Sequence, residues 1–127
     1  MNDECGMLNK EQKHDLRVRT KQFALRILRL YSSLPHTTQA QVLGKQVLRS
    51  GTSVGAHYRE ATRARSVAEF ISKLECGLQE PEETVYWLEL LAEGGIVMPP
   101  RLFELTREAE GLISIFVSSA RTAKRRG

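Results

Sequence analysis

A chain of 127 residues with 41% hydrophobic and 27% charged residues has the size and composition of one soluble domain around a single core. No run approaches the roughly 18 apolar residues of a membrane span, and the acidic start Met-Asn-Asp-Glu-Cys is no secretory signal, so a cytoplasmic location is expected. The net charge of +4 hides an asymmetry: residues 1 to 66 hold 12 Lys and Arg against 5 Asp and Glu (+7), and residues 67 to 127 hold 7 against 10 (−3). A basic face and an acidic face follow, each able to meet an oppositely charged partner.

In chain order, residues 1–13 are polar, lack a period and are expected to fray. A first helix is predicted from near Asp15 to Leu34, since Leu16, Thr20, Phe23, Ile27, Leu30 and Leu34 recur at spacings of three and four. Arg19, Arg26 and Arg29 fall on another face. Pro35 ends this helix, and Thr38 with Gln41 offers a capping box for a second. There Leu43, Val47, Ser50, Val54, Tyr58 and Ala61 read as the inner stripe, and Lys45, Arg49, Arg59 and Arg63 as a basic one. Gly51 to Gly55 lacks the Lys and the preceding strand of a phosphate loop, so its small residues predict close helix packing.

Arg63-Ala-Arg65 forms a basic turn before Ser66, which with Glu69 makes a second capping box. The third helix keeps its period through Phe70, Leu74, Leu78, Pro81, Val85, Leu88 and Ala92, with Trp87 and Leu91 on an adjoining line and a Glu-rich outer face. Pro81 predicts a kink near residues 77–81 rather than two helices, because the apolar period continues in phase. Gly94-Gly95 closes it, and Pro99-Pro100 opens a fourth helix carrying Leu102, Leu105, Ala109, Leu112, Phe116 and Ser119. The predicted fold is all-α, an antiparallel up-down-up-down four-helix bundle over residues 14–122, with a basic tail at 123–127.

Chemistry is sparse. His14, His36 and His57 are scattered, no HxxxH or HExxH pair occurs, and Cys5 and Cys76 lack zinc-site spacing, Cys76 reading as a core or near-core thiol. His57 and Glu60 could share a hydrogen bond at a spacing of three. The expectation is no catalytic residue, no metal, no cofactor and no small-molecule substrate.

Leu48-Arg-Ser-Gly-Thr-Ser-Val-Gly-Ala-His-Tyr-Arg-Glu-Ala61, Ser66 through Phe70, and Glu83-Thr-Val-Tyr-Trp-Leu-Glu-Leu-Leu91 resemble the four-helix bundle family encoded in 23S rRNA intervening sequences. The resemblance covers roughly residues 15–120, departing at His57, where the family most often has Asn, and at Pro81. Its relatives include the accessory protein of diversity-generating retroelements, which partners a reverse transcriptase and RNA. It implies a ring-like homopentamer without established enzymatic activity.

Two functions follow as expectations. One is a homo-oligomeric accessory protein binding RNA or other nucleic acid through Arg19, Arg26, Arg29, Lys45, Arg49, Arg59, Arg63 and Arg65, by phosphate rather than base contacts. The other is a structural module in which the charged faces of neighbouring subunits meet. In either, Trp87, Leu91, Phe103, Ile113 and Ile115 exceed what one inner stripe uses and are expected at the subunit interface.

Overall fold

In the computed structural model, which describes residues 8–126, the first helix opens on an Asn9 cap. The Asn9 side chain accepts from the Gln12 N–H at 2.8 Å, and the Gln12 side chain accepts from the Asn9 N–H at 3.1 Å. Helix α1 therefore spans Lys10–Ser33 and begins earlier than the expected Asp15, because Asn and Gln close a capping box as Ser and Glu do. Of the segment expected to fray, residues 10–13 are helical and 1–7, with Cys5, lie outside the described residues.

Helix α2 spans Thr38–Thr62 and is capped by Thr37, one residue before the expected cap. Gln41, expected to complete that box, instead donates to the Pro35 carbonyl at 2.9 Å. After the Arg63 turn, the Ser66 hydroxyl accepts from the Glu69 N–H at 3.0 Å, and the Glu69 carboxylate reaches back one residue further than expected, to the Arg65 N–H at 2.6 Å.

The third bundle helix consists of α3, Val67–Gly77, and α4, Gln79–Glu93, joined through Leu78. Leu78 keeps right-handed dihedrals (φ −62, ψ −24), so the chain kinks without leaving the helical region. The cause is Pro81, which has no N–H to give Gly77, its partner four residues earlier. The buried stripe stays in phase across the kink, through Phe70, Leu74, Gly77, Pro81, Thr84, Leu88 and Leu91, but runs one residue before the expected Leu78, Val85 and Ala92, which are only half-buried.

Gly95 takes φ +75 and closes α4: its N–H donates to the Ala92 carbonyl and the Ile96 N–H to that of Leu91. Helix α5 spans Pro99–Arg126, so the expected basic tail is mostly helical, and Ala123 is fully buried. All regular structure among the described residues is helical, and no helix is long and apolar enough to cross a membrane.

Neighbouring helices run antiparallel, as their contacts show. Going up α2, a Cβ at Gly44, Gly51 and Gly55 would meet Leu34, Ile27 and Thr20 in turn, going down α1. Against the third helix, Glu60 pairs with Lys73, His57 with Glu80 and Ser50 with Thr84. Arg19 and Ser33 of α1 bind Glu108 and Arg101 of α5. An up-down-up-down four-helix bundle results. The Gly51 to Gly55 stretch lies wholly inside α2 and serves the close approach of α1.

One polar pair sits in this core. Thr84 Oγ1 donates to the Glu80 carbonyl at 2.8 Å and lies 2.8 Å from Ser50 Oγ, with both residues fully buried. With the Thr84 proton committed, Ser50 donates to Thr84. Thr84→Val is therefore expected to leave the Ser50 hydroxyl only a long contact of 3.5 Å with the Val47 carbonyl and to lower stability by about 1–3 kcal/mol, whereas Ser50→Ala with Thr84→Val is expected to be near neutral. Urea unfolding of the full double-mutant cycle measures the coupling, and purely additive effects would refute it.

Candidate nucleic-acid interface

The topology sorts the cations differently from the sequence stripes. Helix midpoints and the kink divide the bundle into two ends. Residues 8–21, 51–77 and 113–126 hold 13 Lys and Arg against 5 Asp and Glu, a net +8. Residues 22–50 and 78–112 hold 6 against 8, a net −2. The asymmetry thus runs along the bundle axis, because antiparallel helices bring the start of α1, the end of α2 and the end of α5 together.

At the basic end the Tyr58 hydroxyl donates to the Lys13 carbonyl at 3.2 Å, which fixes α2 against the first turns of α1. Tyr58 is buried, and burial pushes its phenol well above the ordinary range, opposed by the nearby charge of Arg17. That register gathers Lys13 and Arg17 of α1 with Arg59 and Arg63 of α2 and with Arg65 in the following turn. Arg17, Arg63 and Arg65 are exposed, and none of the five forms an ion pair among the described residues.

Of the eight cations expected at the interface, only Arg59, Arg63 and Arg65 come together here. Arg19 is taken by a two-pronged bridge to Glu108, at 3.0 and 2.8 Å, and faces α5. Arg49 is exposed but bound to Glu83 at 2.6 Å and Glu80 at 3.5 Å. The Glu83 hydrogen bond, against a smaller opposing effect of burial, raises the Arg49 pKa above its ordinary value, and Glu80 adds to the rise. Lys45 lies some 14 residues, roughly 21 Å, before Arg59 along α2. Arg26 is half-buried, and Arg29 points outward from the far half of α1.

Lys13 was passed over because the first helix was expected to begin near Asp15, Arg17 because it lies off the face of Arg19, Arg26 and Arg29, and the α5 cations because the chain end was read as a tail beyond the bundle. The i, i+4 spacing of Lys13 and Arg17 was the available signal. Lys124 meets Glu75 at 2.6 Å, leaving Arg121, Arg125 and Arg126 exposed at the same end.

His57 turns away from its expected partner Glu60: its Nε2 lies 3.5 Å from Glu80, while Glu60 pairs with Lys73 at 3.8 Å. Cys76 is exposed rather than near the core. No group of three or more His, Cys, Asp or Glu able to hold a metal occurs among the described residues.

The expected interface residues also divide. Leu91 is 0% exposed and belongs to the subunit's own core, because it continues the buried line of Gly77, Pro81, Thr84 and Leu88. Trp87 is half-buried against that core, with its Nε1 buried and without a hydrogen-bond partner. Ile113 and Ile115 are half-buried, Ile115 lining an open groove of about 1090 Å³ between α1 and α5. Phe103 alone of the five is largely exposed, under the Arg107 guanidinium at 5.6 Å.

Comparison with known proteins places this geometry. A crystal structure of a protein of unknown function from the S23 ribosomal protein family of Bacteroides thetaiotaomicron is similar, with 36% identity and a TM-score of 0.79, over 86% of this chain and 97% of that one. Among curated proteins none matches. Residues 5–118 match the family described as 23S rRNA-intervening sequence protein. With most of its length matched and a four-helix fold shared with that relative, the chain belongs to the 23S rRNA-intervening sequence protein family.

Proposed function

We propose that this chain is a non-enzymatic, homo-oligomeric accessory protein that holds nucleic acid, RNA in the first place, by its phosphates at the basic end of the bundle. The observation that carries the reading is the convergence of Lys13, Arg17, Arg59, Arg63 and Arg65 without carboxylate partners among the described residues. Point charges on helices recognise a polyanion and carry little base information. The exposed aromatic side chains, Tyr86 and Phe103, lie in the other half, so base stacking adds little.

Binding is therefore expected to be weakly sequence-specific and steeply salt-dependent. Fluorescence anisotropy with a structured RNA between 50 and 300 mM salt measures it. A log–log slope near zero, or no binding at 50 mM, would sink the reading.

The second reading, a purely structural interaction module, draws on a different observation. Val18, Leu25 and Leu28 are 43%, 36% and 44% exposed on α1. RNA binding by the intact oligomer would separate the two.

A further inference from the structure

On α1 the core positions Leu16, Phe23, Ile27 and Leu30 occupy one side. Val18, Leu25 and Leu28, at spacings of seven and three, fall on the side turned away from it. A helix of an isolated bundle needs no second apolar stripe there. Lys21 and Arg29 flank the stripe, both exposed and without an ion pair among the described residues.

The diagonal corner of the bundle carries the complement. Tyr86 is 52% exposed on the outer face of α4, between the exposed, unbridged carboxylates Glu82 and Glu89, with Glu93 one turn beyond. The Arg49 to Glu83 and Ser50 to Thr84 contacts set the register of α2 on α4. Extending that register seven residues along each helix places Val42, 56% exposed, beside Leu90. This corner is apolar and acidic where the α1 corner is apolar and basic.

We infer that the outer face of α1 docks against the α4 corner of a second copy of this chain. The inference rests on the proposal that the protein is homo-oligomeric and names the surfaces that join it. Apolar burial supplies the attraction, and Lys21 and Arg29 opposite Glu82 and Glu89 orient it. Pairing α1 with another α1 would set like charges together, as would pairing α4 with α4. Because the two surfaces differ and lie on opposite corners, the contact is head-to-tail: each copy keeps one free surface of each kind until a ring closes.

The test uses two double variants, Leu25→Ser with Leu28→Ser on α1, and Val42→Ser with Tyr86→Ser on the α4 corner. All four side chains are surface-exposed, and circular dichroism checks that the helices persist. Light scattering after size exclusion at 0.15 M salt is expected to show a multimer for the unaltered protein and a monomer for each variant. An equimolar mixture is expected to give a one-to-one heterodimer of twice the 14.4 kDa chain mass, and nothing larger. A multimer that survives in either variant overturns the assignment while leaving self-association standing, and an unaltered protein that is itself monomeric overturns both.

Discussion

Gly51→Leu is expected to melt well below the unaltered chain. A Cβ built on Gly51 would already stand 2.7 Å from Ile27 Cγ1 and 3.0 Å from its Cδ1, and Ile27 is fully buried. Leucine adds three further carbons in the same gap, so either α1 moves off α2 or Ile27 leaves the core. Overpacking of a tight interior costs about 1–3 kcal/mol, more where backbone must shift, out of a native stability of about 5–15 kcal/mol.

The smaller change separates packing from propensity. Gly51→Ala gains up to about 1 kcal/mol of helix propensity yet must still displace Ile27, so a net loss is expected. At Gly111 the nearest atom to an added Cβ is the tip of Arg19, at 3.5 Å, an ordinary contact. Gly111→Ala should therefore raise Tm where Gly51→Ala lowers it. A Gly51→Leu protein melting with the unaltered one would refute the packing account.

Reversing Arg17, Arg63 and Arg65 to Glu is expected to weaken RNA binding by roughly 10²–10³-fold at 0.1 M salt, from the loss of three phosphate contacts with a log–log slope near 0.9 each. The salt slope should fall by about 3. Stability should change little, since none of the three has a carboxylate partner to lose among the described residues. Arg49→Gln serves as the contrast: that guanidinium is already bound to Glu83 and Glu80, so affinity should hold. Filter binding over a salt series reads both, and equal losses in the two proteins would restore the stripe grouping and sink the end grouping.

The fold was legible in the sequence because the evidence for it is periodic and local. Leu16 through Leu34, Leu102 through Ser119, the Pro35 stop, the Gly95 closure and the Pro81 kink all act within a few residues. What escaped was set by geometry between helices. The buried line of the third helix runs through Gly77 and Thr84, which are not apolar, so an apolar reading settles on the neighbouring Leu78, Val85 and Ala92 and leaves Leu91 off the core. The cation groupings failed because a helical stripe says which residues share a face, but not that Glu108 reaches Arg19 or that Glu80 and Glu83 reach Arg49.

The charge separation along the bundle also decides how the molecule would lie on a polyanion. With +8 at one end and −2 at the other, the favoured approach is end-on, like a peg on a rail. The footprint is then the width of the bundle, about 20–24 Å for two helix diameters, and not its length. Helix α5, with 28 residues, would stand off by roughly 42 Å. Glu89 and Glu93 would project away from the phosphates, several Debye lengths out at physiological salt, where they no longer oppose the contact.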